Sequence, residues 1–294
     1  MLALIGIAMV FAAVFGGYVL EKGNPCVLMQ PAEMLIICGA ALGTVLVANP
    51  PSAIRKMAAG LVATFRAAPL SERAFRDHLL MLYEILTFAR RAGINELERD
   101  FDDPAKSRIF SHYPAFLANR PVCDFVCDTL RMMVVGESKP HELDRLMDLD
   151  MDVQRRGHQQ PVAALAAVAD CLPGLGIVAA VLGVVLTMES IGGPATQVGR
   201  KIAAALVGTF LGILVSYGFI GPIAAAMSHA ANEEGRAFEV VKMALVASVR
   251  GYVPAVAIEF ARKLLMSDVR PTFSDLEAQL KNKGKAAPAA GKAA

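Results

Sequence analysis

The chain has 294 residues, of which 55% are hydrophobic and 19% are charged, and its mean hydropathy is +0.48. Soluble globular proteins carry about 25% charged and about 45–50% apolar residues, and here the apolar excess is concentrated in a few long runs. This composition excludes a disordered chain, a disulfide scaffold and an ordinary soluble enzyme, and it predicts a membrane protein. The formal net charge is +2 and no basic face stands out, so no nucleic-acid partner is indicated.

Four apolar runs are long enough to cross a membrane as helices. Residues 1–20 contain no charge, and a helix of that length, at about 1.5 Å per residue, spans a hydrocarbon core of about 30 Å. The second helix, predicted over 34–51, closes on Asn49-Pro50-Pro51, a sequence that stops a helix. The third and fourth helices are predicted over 162–190 and 200–227.

Polar segments separate these helices unevenly. Short turns join the first helix to the second and the third to the fourth, whereas segment 52–161 lies between the second and third helices, and a tail occupies 228–294. Lysines and arginines flank the long segment and begin the tail, so the positive-inside rule places both, and both termini, in the cytoplasm. The last stretch of the tail, KNKGKAAPAAGKAA, is low in complexity and predicted to be disordered.

The segment 52–161 has the pattern of packed helices. Apolar residues recur at helical spacing along 75–89, and the same pattern returns along 122–135 and 142–156. No stretch alternates as a strand would. The predicted fold class is therefore an all-α membrane protein. It has four transmembrane helices, a large helical cytoplasmic segment between helices 2 and 3, and a cytoplasmic C-terminal tail.

The sequence lacks the motifs of catalysis and of a bound cofactor. It contains no GxxxxGK[ST], HExxH or GxSxG pattern, which argues against an enzyme and against a cofactor. Cys123 and Cys127 lie one helical turn apart, but no second pair of ligands follows them, so no metal site is expected.

Small residues mark two faces of the predicted helices. Gly39-xxx-Gly43 and Gly208-xxx-Gly212 each place two glycines on one face, which allows close contact between helices in lipid. Packing within one chain explains such faces. Because the third helix is also rich in glycine and alanine, self-association or packing against a partner helix is a second interpretation.

Two prolines and an absence of central carboxylates characterise the third and fourth helices. Pro173 and Pro222 each remove a backbone donor near one membrane face, which fits either tolerated kinks or a hinge. An ion path through hydrocarbon needs an ionisable group at depth, yet Glu33, Asp170 and Glu189 lie at helix edges, so a proton-accepting carboxylate is expected from a partner's helix. The other polar groups at depth are hydroxyls, those of Thr44, Thr187, Thr209, Ser216 and Tyr217.

Three stretches resemble the MotA family of flagellar stator subunits, which is related to the TolQ/ExbB energisers. They are ALVGTFLGILVSYGFIGP (205–222), LPGLGIVAAVLGVV (172–185) and LEKGNPCVLMQPAE (20–33), and the last is similar to the proteobacterial long-loop branch. The resemblance covers almost the whole chain. It implies a multi-pass protein of the bacterial inner membrane that couples proton flow to torque on the flagellar rotor.

The resemblance also implies partners and site residues. In this family five copies surround two copies of MotB, a peptidoglycan-binding subunit whose single membrane helix carries the proton-accepting aspartate. Arg90 and Glu98, expected on a helix entered after Ala89, match the charges that face the rotor protein FliG. Pro173 and Pro222 match the prolines that couple ion passage to movement of the cytoplasmic segment. Membrane lipid and further copies of the chain complete the expected contacts.

The identity of the ion rests on two positions. Sodium-driven relatives have a hydroxyl residue where this chain has Ala180 and keep the threonine that matches Thr209, while Tyr217 adds a hydroxyl in the fourth helix. Na⁺ needs several oxygen ligands and a proton needs one acceptor and a water path, so Ala180 favours protons. A sodium-driven stator subunit and a TolQ/ExbB-like energiser of an envelope system are the alternatives, although the latter usually has three spans. A solute transporter would show inverted repeats with broken helices, which the sequence lacks.

Overall fold

The computed structural model describes residues 2–66, 71–136 and 139–286, and in these ranges the regular structure is helical throughout. The α-helices are α1 (Leu2–Leu20), α2 (Pro31–Ala48), α3 (Pro51–Arg66), α4 (Glu72–Ala92), α5 (Glu98–Asp102), α6 (Pro114–Ala118), α7 (Arg120–Val135), α8 (Pro140–Met188), α9 (Ala195–Val215), α10 (Gly221–Val249), α11 (Pro254–Lys263) and α12 (Phe273–Ala286). A π-helical segment, Ser216–Ile220, joins α9 to α10. Short 3₁₀ turns cover Pro25–Leu28, Ile94–Leu97, Pro104–Lys106 and Phe110–His112.

These helices form two compact units. The first, called the membrane unit, comprises Met1–Ala67 and Arg156–Ala231, and the second, called the helical unit, comprises Ala68–Arg155 and Asn232–Ala294. α3 and the start of the predicted tail, which lie outside the predicted membrane helices, belong to the membrane unit. Helices α8 and α10 contribute residues to both units.

Among the described residues, four stretches of helix are long and apolar enough to cross a membrane, which confirms the predicted number. They are Ala3–Leu20, Pro25–Ala48, Pro140–Met188 and Ala195–Val249. The helices that contain the third and fourth of these stretches extend beyond the predicted spans, because the polar sequence next to each span continues as helix. Pro161 and Pro173 both lie inside α8 without ending it.

The end of α2 follows the predicted stop. Asn49 caps the helix, and its side-chain amide donates a hydrogen bond to the carbonyl oxygen of Val45 at 3.1 Å. The two prolines that follow cannot donate backbone hydrogen bonds, so α2 ends at Ala48 and a new helix begins at Pro51.

Two small apolar clusters hold the membrane unit together. The buried members of the first are Ile37, Ala41, Leu172 and Ala179. The buried members of the second are Leu165, Ile223, Ala224 and Met227. Along 177–188 of α8 and along much of α1, by contrast, large apolar side chains are exposed in the single chain, as expected of surfaces that face lipid or another helix.

A larger core fills the helical unit. The helical spacing of apolar residues in α4 predicts one buried face, and Phe75, Leu79, Leu82, Ile85 and Leu86 are indeed buried there. Helices α11 and α12 both pack against α4. The predicted cytoplasmic segment and the predicted tail therefore share one core.

The first part of the stretch predicted to be disordered is helical. Residues 281–286, placed in the disordered stretch, form the end of α12, whereas 287–294 lie outside the described residues. The amine of Lys283 contacts the carboxylate of Glu84 and the hydroxyl of Tyr113. Lys283 thus connects the low-complexity sequence to the helical unit, although nothing in the sequence distinguishes it from the neighbouring lysines.

His78 makes the stability of the helical unit sensitive to acid. It is buried beside Phe116, its Nδ1 lies 2.7 Å from the carbonyl oxygen of Ala74, and its Nε2 has no hydrogen-bond partner. Burial lowers the pKa of His78, against the smaller opposing effects of the Ala74 carbonyl and Asp77. The unfolded chain takes up a proton near the ordinary histidine pKa of about 6.5, whereas the folded chain does not, so the free energy of unfolding falls as the pH drops below that value.

We therefore expect His78→Phe to reduce the loss of hydrogen-exchange protection in α4 that the unaltered chain shows between about pH 7 and about pH 5. Protection is measured by mass spectrometry on the full chain, with rates corrected for the intrinsic effect of pH. His141→Phe is the control, because His141 is exposed in α8. An equal pH dependence in both variants would contradict the assignment to His78.

Candidate functional site

The site begins with a close contact between the backbones of α8 and α9. A Cβ atom built on Gly212 would lie 2.7 Å from the carbonyl oxygen of Leu172 and 2.9 Å from the Cα of Gly176. A Cβ on Gly176 would lie 2.8 Å from the carbonyl oxygen of Gly208. Such distances leave no room for a side chain. The predicted Gly208-xxx-Gly212 face is thus used within the chain. The contact of α8 with α9 at Gly176, Gly208 and Gly212 is here called the glycine seam.

The second predicted glycine face is open. A Cβ atom on Gly39 or on Gly43 would meet no heavy atom within 4 Å, apart from its own chain neighbours and helix backbone. The two GxxxG patterns therefore differ in use, and only the α8–α9 pair is explained by packing inside one chain.

Pro173 and Ser216 meet at one carbonyl group. Pro173 has no N–H, so the carbonyl oxygen of Ala169, four residues earlier in α8, lacks its helical donor. The Ser216 hydroxyl donates to that oxygen at 2.7 Å, and Ser216 is completely buried. The hydrogen bond compensates for the proline across two helices. Ser216 was expected only as a hydroxyl at depth, because the sequence does not show its partner.

The π-helical segment lies immediately before Pro222. The N–H of Gly221 donates to the carbonyl oxygen of Ser216, five residues back, instead of four as in an α-helix. Pro222 follows without a donor of its own. π-Turns inside helices are frequent at functional sites. The two predicted prolines are therefore connected, since Ser216 bonds to the carbonyl that Pro173 leaves free and opens the wide turn that precedes Pro222.

The predicted ion-pathway residues fall into two groups. Ala180 and Thr209 are half-buried at the glycine seam, where a Cβ on Gly208 would lie 3.3 Å from the backbone nitrogen of Ala180. Tyr217 is 71% exposed in the single chain, and Pro222 is also exposed. The structure brings Pro173, Ala180 and Thr209 to the α8–α9 contact and does not bring Tyr217 there.

Arg90 and Glu98 do not share a helix, contrary to the prediction. Arg90 lies in the last turn of α4, which began at Glu72, and Glu98 is the first residue of α5. Gly93, with φ of +93°, ends α4 because this backbone conformation is accessible mainly to glycine. A 3₁₀ turn that buries Leu97 follows. Both charged side chains are nevertheless exposed on the helical unit.

Asp100 connects α5, which begins at Glu98, to the segment around Ser107. Its Oδ1 accepts hydrogen bonds from the Ser107 hydroxyl at 2.7 Å and from the N–H of Arg108 at 3.0 Å, while Asp100 itself is buried. This network was missed, because one more aspartate in a charged segment carries no signal without its partners. Arg90 in turn lines a shallow open groove and lies 3.4 Å, through Nη1, from the carbonyl oxygen of Tyr252.

Glu33 is a further residue whose surroundings the sequence does not reveal. It lies in the first turn of α2, in agreement with its expected place at a helix edge, but only 7% of it is exposed. Its Oε2 has no hydrogen-bond partner.

Comparison with known proteins decides the family. Residues 4–93 match the family described as Motility protein A N-terminal, and residues 117–240 match the MotA/TolQ/ExbB proton channel family. The chain is 40% identical over 277 residues to Motility protein A of Escherichia coli strain K12, with 94% of each chain covered. The chain belongs to the motility protein A family. Chemotaxis protein LafT of Vibrio parahaemolyticus is 35% identical over 273 residues, which are 93% of this chain and 96% of LafT.

Solved structures agree with this membership. The flagellar MotAB stator complex from Bacillus subtilis has a chain with a TM-score of 0.72 and 26% identity, covering 90% of this chain and 94% of that one. The C. jejuni MotAB structure gives a TM-score of 0.77 at 18% identity, covering 92% and 98%, and supports the fold. This motility protein A family member is thus a multi-pass inner-membrane subunit of the stator proton channel, and its family is not a known enzyme family.

The glycine seam makes a prediction about stability. Gly212→Ala places a Cβ against the Leu172 carbonyl, so α8 and α9 have to separate, and overpacking of this kind costs about 1–3 kcal/mol. We expect a lower midpoint of thermal unfolding for the full chain in detergent, measured by circular dichroism. Gly43→Ala is the matched control, since its Cβ meets nothing and alanine favours a helix over glycine. Equal midpoints for the two variants would contradict the seam.

Proposed function

We propose that this stator subunit couples proton flow across the inner membrane to torque through the α8–α9 pair. The observation that supports this most is the Ser216 hydrogen bond to the carbonyl that Pro173 leaves free, next to the π-helical segment before Pro222. Backbone groups without helical partners are the places where a transmembrane helix can change shape at low cost. A change of charge in a partner's helix could therefore move α8 and α9 together, and this movement would be passed to the cytoplasmic residues of α8 and α10.

The partner in this proposal is a MotB-type subunit with one membrane helix and a peptidoglycan-binding domain. The similar solved structures are MotAB complexes, and in the family resemblance five copies of this chain surround two of MotB. Two features of this chain support such an assembly. Apolar side chains such as Ile177, Val181 and Val185 are exposed along α8, and Gly39 and Gly43 form an unoccupied small-residue face. Membrane lipid covers the remaining apolar surface.

Protons are the proposed ion. The position of Ala180 is apolar, and the hydroxyl of Thr209 alone offers too few oxygen ligands for a dehydrated sodium ion, whereas a proton needs one acceptor and water. Tyr217 is exposed in the single chain, so its proposed place in the pathway depends on the neighbouring subunits.

The rotor-facing surface in this proposal is the part of the helical unit around Arg90 and Glu98. Both side chains are exposed. Asp100 holds the backbone near Glu98 through its hydrogen bond from the N–H of Arg108, and the Tyr252 carbonyl accepts a hydrogen bond from the Arg90 guanidinium. The expected partner is the rotor protein FliG. Both termini and the helical unit are assigned to the cytoplasm, in line with the distribution of basic residues.

Proton flux tests the proposed function directly. We expect sealed liposomes with this chain and its MotB-type partner to conduct protons, and we expect the chain alone to conduct none, because one buried carboxyl cannot form a continuous path. Replacement of the partner's membrane aspartate by asparagine should abolish the flux. Flux carried by the chain alone, or a complex that conducts sodium but not protons, would overturn the assignment.

Charge reversal tests the rotor surface. An exposed ion pair is worth about 0–1 kcal/mol, so Arg90→Ala should lower swimming speed only in part. Arg90→Glu adds repulsion and should lower it further, with partial recovery when the opposite charge on the rotor is reversed. Arg91→Glu is the matched control, because Arg91 is the exposed neighbour that lines the same groove. Normal swimming of Arg90→Glu at a normal protein level would show that this surface does not face the rotor.

A further inference from the structure

Glu33 is an acidic side chain enclosed by three apolar helices. A Cβ atom built on Gly208 would lie 2.8 Å from its Oε2, and a Cβ on Gly183 would lie 3.3 Å from its Oε1. The carboxyl group of Glu33, on α2, thus occupies the space beside Gly183 of α8 and Gly208 of α9, which have no side chains to fill it. Any residue larger than glycine at position 208 would displace it. This enclosure is specific, because Glu189, at the end of α8, is exposed.

The level of this carboxyl group coincides with that of the proposed ion pathway. The same Cβ on Gly208 that would approach Oε2 of Glu33 would also lie 3.3 Å from the backbone nitrogen of Ala180. Thr209 is the next residue along α9. Glu33 therefore lies near Ala180 and Thr209, the two residues on which the identity of the ion depends. It approaches them from the side of α8 and α9 that packs against α2.

Within the part of the chain that the structure describes, no cation balances a negative charge at this position. Among the ion pairs between described residues, none includes Glu33, and its Oε2 has no hydrogen-bond donor. The titratable groups along the apolar parts of the neighbouring elements are Cys26 before α2, Cys38 on α2, Asp170 and Cys171 on α8, Glu189 after α8, and Arg200 and Lys201 near the start of α9. Cys171 is half-buried and the others are exposed. The dipole at the start of α2 favours an anion only weakly. An isolated carboxylate is costly in an apolar site, so the site suits the neutral acid.

We propose that Glu33 is a proton-binding site contributed by this chain, at the level of Ala180 and Thr209, and that proton exchange at this carboxyl group shapes the pH dependence of conduction. The second part rests on the proposed function, whereas the first does not. Glu33 takes up one proton to become the neutral acid and releases the same proton to water of the pathway, and no covalent bond between heavy atoms changes. The partner's aspartate remains the main acceptor, and Glu33 is a second acid beside the path.

Infrared difference spectroscopy tests the proton-binding site in the complex with the MotB-type partner. The spectrum of the unaltered complex minus that of Glu33→Gln should contain the carbonyl stretch of one protonated carboxylic acid at neutral pH. The matched control is Glu189→Gln, whose difference spectrum should contain only the bands of an ionised carboxylate. Absence of the protonated-acid band from the Glu33 difference would overturn the proposal.

A second variant covers the case in which Glu33 is needed for folding. If the site holds a neutral acid, the uncharged Glu33→Gln and the apolar Glu33→Met should both assemble with the partner in normal amounts. Loss of the complex in both variants would mean that a carboxylate is required for structure, and it would equally overturn the proposal.

The pH profile of flux in liposomes tests the link to conduction. We expect the unaltered complex to show a step in flux with pH that Glu33→Gln loses and Glu189→Gln keeps. A protonated-acid band together with identical flux profiles would overturn the link and leave Glu33 as a buried structural acid. If the unaltered complex conducts no protons at all, the proposed function fails, and the infrared result still decides whether Glu33 binds a proton.

Discussion

The direct contact between the backbones of α8 and α9 is the constraint on which the membrane unit depends. Gly176, Gly208 and Gly212 bring the two helices so close that no Cβ atom fits between them. This distance lets the Ser216 hydroxyl reach the Ala169 carbonyl, and it leaves the space that the Glu33 carboxyl fills. In lipid there is no hydrophobic driving force between helices, so dispersion at close range and hydrogen bonds of this kind have to hold them together. One structural device therefore both stabilises the pair and creates its polar interior.

The chemistry of the helices could be predicted from the sequence, but their pairing could not. Length and charge were enough to identify four membrane helices, because a hydrocarbon core of about 30 Å needs about 20 apolar residues. The two GxxxG patterns look alike as sequence, yet only Gly208 and Gly212 are in contact with another helix of this chain. A pattern of small residues indicates that a helix face can approach another helix closely, but it does not indicate which helix that is. The importance of Glu33 escaped prediction for the same reason, since two glycines distant in the sequence enclose it.

Local backbone geometry limits the prediction of the rotor surface in another way. Arg90 and Glu98 are eight residues apart, a spacing that one continuous helix accommodates, and the pattern of apolar residues does not forbid it. Gly93 and the 3₁₀ turn after it break that helix and bury Leu97 instead. The Asp100 network and the contact of Lys283 with Glu84 depend on partners remote in sequence, so residue type alone could not reveal them. The helical face of α4 was predictable because its pattern is local.

The π-helical segment Ser216–Ile220 has a consequence for register. An α-helix turns by about 100° per residue, so an insertion or deletion elsewhere in α9 or α10 redirects every side chain that follows. A π-turn contains one residue more than an α-turn, and deletion of one residue within it would let the helix close without redirecting α10. The same spare residue allows the wide turn to move along the helix by exchanging one backbone hydrogen bond at a time, and each step would rotate the side chain it passes. Pro222 has no N–H to exchange, whereas the residues of α9 on the other side of the wide turn, toward Thr209 and the glycine seam, each have one.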